Sequence, residues 1–344
     1  MRILLVGPSL PFPWMAYTAR ALRRLGHSPT LFRYTNRWVN RIAGLGAGRI
    51  AGVSAAARAA AAAWRAARDE ALVAVARRMR PELAIVLRGE LIAPAALAQV
   101  KRSLAGPFVT WWVDDPGRYP GSAERLRLYD HVFLFDRACV RRLAAGGARV
   151  TFLPCACDET VFQPRALSAR ERRRYGCDIA LVGWYYPNRA EVVQALSGFR
   201  VGIWGRGWAR ADARRALNGI GSRALRSRRY VSDGCAAAIY NAAALGLNVH
   251  HAQAREAGLN TRTFEVLAAG GCELVDAVPG LEELLRPGEE LLMYRSPSEA
   301  RELAAHYLRR PRERARIAAR GRARVLAEHT YVHRMRRLLR AVAR

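Results

Sequence analysis

Asp178-Ile179-Ala180-Leu181-Val182-Gly183 is a short apolar run closed by a glycine, with Pro187 opening an amphipathic stretch a few residues on. The chain begins in the same manner: Arg2-Ile3-Leu4-Leu5-Val6-Gly7-Pro8-Ser9 leads into an apolar-periodic stretch over 15–25 that ends at Gly26. A run of that length bounded by glycine reads as a buried strand, and a strand that feeds a helix is half of a parallel βαβ unit. The opening is too short for a signal-peptide core. Meeting such a beginning twice predicts two doubly wound α/β domains in succession.

Outward from the first beginning, apolar runs at 30–32, 83–87, 108–113, 132–135 and 150–153 alternate with helical stretches, among them a long arginine-flecked one through Met79 and others near 95–104 and 137–144. Outward from the second, runs at 201–204, 247–250, 272–275 and 291–293 are spaced by helices. Between 164 and 176 the chain is polar and arginine-rich without apolar periodicity, which reads as the interdomain connection. From Glu299 to Arg344 it is helical, broken at Pro311 and near His329-Thr330, longer than one domain needs for a final helix. The expected division is an N-terminal Rossmann-like domain over 1–165, a C-terminal one over 166–325, and a terminal helix over 326–344 that packs back on the first.

With 344 residues, 51% of them hydrophobic, the chain is long enough for two cores, and its ordinary charged share argues against disorder. Its six cysteines are scattered, and Cys155 and Cys157 match no common zinc spacing, so a reduced, metal-free cytoplasmic protein is expected. Arg58 and Arg65 interrupt even the alanine tract over 55–67, which leaves no apolar run able to span a bilayer. The formal net charge of +29 would raise nucleic-acid binding first. Yet Lys101 is the only lysine and alanine is used as heavily as arginine, so compositional bias with a solvated basic surface is the favoured reading. Peripheral contact with an anionic membrane stays open beside it, and a nucleic-acid partner is disfavoured.

The second half carries successive motifs: 178–189, Trp204-Gly205-Arg206-Gly207-Trp208, Ile239-Tyr240-Asn241 and Leu247-Asn248-Val249-His250, then the dense stretch Gly258-Leu259-Asn260-Thr261-Arg262-Thr263-Phe264-Glu265-Val266, Pro287-Gly288-Glu289-Glu290-Leu291 and His329-Thr330-Tyr331. Together they resemble the CgeB-like (spore-maturation protein) glycosyltransferases; in the first half the resemblance rests mainly on Val113-Asp114-Asp115-Pro116. The resemblance implies a GT-B fold, two facing Rossmann-like domains with the active site between them. It also implies metal-independent transfer from a nucleotide-diphosphate-sugar to a hydroxyl on a surface polysaccharide, glycan or protein, with no cofactor. A retaining outcome is the preference, although the position matching the first of two glutamates in many retaining members is Ala257, with Glu256 one residue out of register.

Such a reaction needs a group for the ribose diol, positive charge for the leaving diphosphate and a device that orients the acceptor. Glu265, one helical turn after Thr261, resembles the glutamate that takes the ribose hydroxyls; its structural alternative is a helix cap, with a threonine as N-cap and the carboxylate in the first turn. Asn260 and Arg262 would face the phosphates, with Thr261 and Thr263 adding main-chain donors. Gly183 lets the backbone approach a ligand closely. Arg189 is the candidate diphosphate clamp, against the alternative of a solvated surface charge. Tyr185 and its neighbours Trp184 and Tyr186 could stack on a base or be plain core. His251 or His250 would border the sugar, against a satisfied core histidine.

In the first half Asp115, ahead of Asp114, is placed as catalytic base or acceptor-orienting group at the carboxyl end of a parallel strand, with a plain Asp-Pro turn as the alternative. Gly7 and Pro8 face the same place. The competing function class is a catalytically inactive basic module that keeps the fold and binds nucleic acid or anionic lipid, and steep salt dependence would betray it.

Overall fold

The computed structural model describes residues 1–8, 13–35, 55–208, 225–227 and 230–343; Ser9 lies outside them. The chain divides into two compact units, Met1–Leu153 with Tyr331–Arg344, and Pro154–Thr330.

In the first unit six parallel strands, β1 (Arg2–Gly7), β2 (Ser28–Arg33), β3 (Leu83–Leu87), β4 (Phe108–Trp112), β5 (His131–Leu134) and β6 (Val150–Phe152), form one sheet in the order β2-β1-β3-β4-β5-β6. β1, β3, β4 and β5 are almost entirely apolar because helices cover both faces of a doubly wound sheet. The order reverses between β1 and β3, so the crevice of this sheet opens beyond Gly7 and Leu87.

The second unit repeats the plan with β7 (Cys177–Val182), β8 (Val201–Trp204), β9 (Leu225–Ser227), β10 (Ala243–Asn248), β11 (Glu273–Asp276) and β12 (Leu292–Tyr294), in the order β12-β11-β10-β7-β8-β9. Ile179, Leu181, Ile203, Leu247 and Leu274 are fully buried in its core. Here the reversal falls between β7 and β10, beyond Gly183 and Asn248. Two strands differ from the pattern's expectation. β9 is only three residues long, too short to carry a period. β10 begins at Ala243, directly after the helix Asp233–Ala242, because its first residues are alanines that read equally well as helix.

The unit boundary falls at 153/154, whereas polarity placed it at 165/166. Cys155 and Cys157 are buried, and the Cys157 amide donates to the carbonyl of His329 at 3.2 Å, so this segment packs within the second unit. The polar stretch read as a connection contains the helix Ala169–Tyr175, held by a capping box between Ser168 and Glu171. Its arginines and glutamate are good helix formers, and only Tyr175 is buried, which leaves no apolar period to read. In the tail, the helices Pro297–Leu308 and Pro311–Glu328 stay with the second unit. The helix Tyr331–Val342 returns to the first, where the Tyr331 ring lies 5.4 Å from Tyr17 and 5.8 Å from Trp111.

Candidate functional site

At the reversal point of the second sheet two guanidinium groups converge on Gly183. A β-carbon added there would lie 2.9 Å from Arg189 Nη1 and 2.9 Å from Arg262 Nη2, so glycine is the residue that leaves room for both. Arg189 sits in the first turn of the helix Pro187–Ala195 and is 6% exposed. Its Nε donates to the carbonyl of Val249 at 3.0 Å and its Nη1 to that of Trp184 at 2.8 Å, while the guanidinium lies 4.9 Å over the Tyr186 ring. Burial first, and then the like charge of Arg262, push Arg189 well below the usual arginine range. Both causes make this an unfavourable place for a positive charge. Arg262 donates from Nη1 to the Asn248 amide oxygen at 3.2 Å, and its buried Nε has no hydrogen-bond partner among the described residues.

Arg262 stands on the helix Thr261–Ala268, whose N-terminus adds the positive end of a dipole. The N-cap is Asn260 rather than a threonine: its side-chain oxygen accepts from the Thr263 amide at 3.2 Å, and its nitrogen donates to Asn248 at 2.9 Å. A cap residue so engaged does not face a phosphate. Thr263 is fully buried, between Asn248 and His250, and supplies no outward donor. Its burial follows from its place in the third helical position, over the end of β10.

Glu265 lies beyond the first turn, half-buried, with its carboxyl pushed up to about 8 by burial and then by Asp233, against the lowering effects of Arg262 and a hydrogen bond from Thr261. Tyr230, itself raised to about 12, adjoins the same two carboxyl groups. Tyr185 packs edge-on to Trp208 at 5.2 Å, in the core. It is Tyr186 that flanks Arg189, with His251 edge-on to it at 4.7 Å; residues alternate sides after a strand, and one position decides which ring faces the site. His250 is buried, bonded to Asp276 through its main-chain amide and through Nδ1 at 2.7 Å.

In the first unit Asp114 and Asp115 are close in sequence but part in role. Asp115 is buried and accepts from the Gly117 amide at 2.8 Å, capping a short 3-10 turn, while pairing with Arg142. That arginine and the Gly117 amide outweigh burial and hold its carboxyl below the ordinary aspartate range, which makes it a poor base. Asp-Pro turn chemistry accounts for the placing of Asp115, and Asp114 is the one turned to Arg88 and Tyr119. The Asp114 carboxylate accepts from Arg88 Nη1 at 2.6 Å and from the Tyr119 hydroxyl at 3.0 Å.

Arg88 also holds Glu90, and it lies 5.5 Å over the Trp14 ring and 5.1 Å over Tyr119. Gly7 and Pro8 are buried at the same sheet edge, where the Gly7 carbonyl accepts from Tyr34. Sequence reasoning missed Arg88 and Glu90, and an Arg-Gly-Glu directly after an apolar run was the available signal. It also missed Asp233 and Glu273, which no local pattern marks, and it named Tyr186 only beside Tyr185.

The two sheets define a class: paired parallel α/β units of the GT-B type, with two arginines close to Gly183 at the reversal point of the second. Within that class, residues 188–340 match the family model described as glycosyl transferase-like. The chain is similar to the spore protein CgeB of Bacillus subtilis (strain 168), 22% identical over 226 residues, which cover 62% of this chain and 68% of that protein. The CgeB-like resemblance carried by the second half is thus met by both comparisons.

Among solved structures the fold is shared with sucrose-phosphate synthase from Thermosynechococcus elongatus, at TM-score 0.68, 16% identity, and 99% and 98% coverage of the two chains. Anabaena HepE in complex with UDP-glucose gives TM-score 0.67 at 11% identity, covering 100% and 99%. An α,α-trehalose-phosphate synthase (UDP-forming) from Burkholderia xenovorans gives 0.67 at 10% identity, covering 100% of both. Among the described residues no helix is long and apolar enough to cross a membrane.

Proposed function

We propose that this chain is a glycosyltransferase that takes a sugar from a nucleotide-diphosphate-sugar bound by its second unit and moves it to an acceptor hydroxyl on a glycan or protein. The observation that carries the reading is the pair of guanidinium groups over Gly183, with the Arg262 Nε buried and unpartnered among the described residues. Arg68, which is buried, and Arg88, which is partly buried, each hold a carboxylate. The hydrogen bonds of Arg189 go to main-chain carbonyls, and Arg262 bonds the Asn248 amide and the Tyr240 side chain, while its charge is also felt by Glu265 and Glu273. That neighbours of the same fold hold UDP and UDP-glucose supports a diphosphate as the ligand.

In this reading the acceptor oxygen bonds to the sugar C1 as the C1–phosphate oxygen bond breaks. The electron pair of the broken bond goes to the diphosphate, which the two arginines and the helix N-terminus stabilise, and the acceptor's proton passes to the departing diphosphate. Two fixed cations supply the charge that a metal ion would otherwise bring, which supports metal-independent transfer. Glu265 takes the ribose hydroxyls, and Asp114, steadied by Arg88, accepts the hydrogen bond of the acceptor hydroxyl and orients it. The test is a panel of nucleotide-sugars screened by thermal shift at two salt concentrations, because a ligand that binds the native state raises its apparent stability. A nucleotide-sugar that stabilises the protein at both supports the reading. No stabilisation by any of them, with steeply salt-dependent binding to nucleic acid or anionic vesicles, would point to an inactive basic module.

A further inference from the structure

Beneath the two arginines lies a buried polar layer with no direct view of a ligand. Asn248, the last residue of β10, is fully buried and its carboxamide is fully used. Its oxygen accepts from Asn260 Nδ2 at 2.9 Å and from Arg262 Nη1 at 3.2 Å. Its nitrogen donates to Thr263 Oγ1 at 2.9 Å and to Glu273 Oε1 at 2.8 Å, with Asn260 Oδ1 a longer third acceptor at 3.2 Å. A carboxamide has two donors and two acceptor sites, so this arrangement satisfies it. Turned end for end, it would set its N–H groups against the N–H groups of Arg262 and Asn260.

Glu273 enters this layer from the neighbouring strand β11 and is fully buried. Burial raises its carboxyl well above the ordinary range, against the lowering effects of the Asn248 hydrogen bond and of Arg262. The group that touches Arg262 in this layer is thus a neutral amide. A carboxylate in the place of Asn248 would bind the guanidinium about twice as strongly as an amide does. It would also cancel the charge that an anionic ligand needs.

We propose that Asn248 and Glu273 are positioning residues for anion binding, a role that rests on the donor-site reading above. Glu273 accepts from the Asn248 amide and fixes which end faces Arg262; the amide oxygen then holds the guanidinium over Gly183 through Nη1 without neutralising it. The geometry is that of a two-step relay, from a buried carboxyl group to an amide to a cation.

The experiment measures UDP, uridine and inorganic pyrophosphate binding by calorimetry to the full chain and to Asn248→Asp, Glu273→Gln and Glu273→Leu. Asn248→Asp is expected to weaken UDP and pyrophosphate by at least about tenfold while uridine is unchanged, because only the phosphate-directed cation is neutralised. Glu273→Gln keeps an acceptor oxygen and is expected to bind all three as the parent does, and Glu273→Leu to lose phosphate affinity alone. If the parent chain binds neither UDP nor pyrophosphate, the donor-site reading itself fails.

If the parent binds both but Asn248→Asp keeps its preference for UDP over uridine, the donor site stands and the positioning role is overturned. Should Asn248→Asp not fold, the Glu273 pair decides: equal losses in the Gln and Leu variants, or none in either, overturn the proposal.

Discussion

Gly183→Ala is the substitution that tests the anion site most directly, because it touches no proposed ligand-binding side chain and changes only the space between two of them. The new β-carbon would lie 2.9 Å from one nitrogen of Arg189 and one of Arg262, whereas ordinary contact begins at 3.4 Å. Each guanidinium must then retreat by roughly 0.5 Å, the tolerance within which a binding constellation works. Losing the equivalent of one charge-assisted hydrogen bond costs about 1.5–3 kcal/mol, or about ten- to a hundredfold in diphosphate affinity.

The fold should not suffer, since what moves is the far end of two long side chains and the backbone at Gly183 lies outside the left-handed region. A compatible Gly→Ala change even stabilises by about 0.4–1 kcal/mol through the unfolded chain. The assay is calorimetric titration with UDP and with uridine, alongside a denaturant melt. Unchanged UDP affinity, or equal losses for UDP and uridine, would refute convergence of Arg189 and Arg262 on a phosphate.

Other outcomes can be checked independently. Glu265→Ala should lower nucleotide affinity about ten- to a hundredfold, with Glu265→Gln between; a 2′,3′-dideoxy nucleotide, lacking the diol, should respond little to either, and equal sensitivity would place Glu265 away from the ribose. The Glu265 carboxyl is raised from 4.5 to about 8, so the unfolded chain releases that proton first as pH rises. Its contribution to stability is therefore whole below about pH 4.5 and declines between there and about pH 8. Urea midpoints at pH 5 and pH 8 should differ less in Glu265→Gln than in the parent, and an identical difference would count against this carboxyl. Asp115→Ala should cost about 0.5–2 kcal/mol of stability, as lost caps do, and leave turnover per folded molecule intact; Asp114→Asn should do the reverse, and a drop in turnover from Asp115→Ala alone would restore Asp115 to the mechanism. The isolated unit Pro154–Thr330 should fold and bind UDP, which gel filtration and calorimetry can read.

The strand, glycine and helix beginnings at 2–25 and 178–195 were legible because they are local: apolar periodicity and a terminating glycine act over a dozen residues, whatever the rest of the chain does. The same held for Gly183 and for the dense motif around Arg262. Polar stretches were less legible, since the capped helix Ala169–Tyr175 buries one side chain and so shows no period. What local sequence could not reveal is which of several plausible neighbours face a ligand. Asn260 and Arg262 are two positions apart, yet one caps the helix and the other reaches Gly183.

Asp114 and Asp115 are adjacent, yet one is bound to Arg88 and the other locked in a turn. Those outcomes depend on which strand lies beside which: crossovers bring Gly183, Asn248 and Glu273 onto neighbouring strands β7, β10 and β11, although dozens of residues separate them in sequence. By itself the sequence determined the two-sheet plan and the residue types gathered at each strand end, because these are set by short-range sterics and burial. Only the tertiary structure decided the partners, since a guanidinium held by an amide keeps its charge for a ligand and one held by a carboxylate does not.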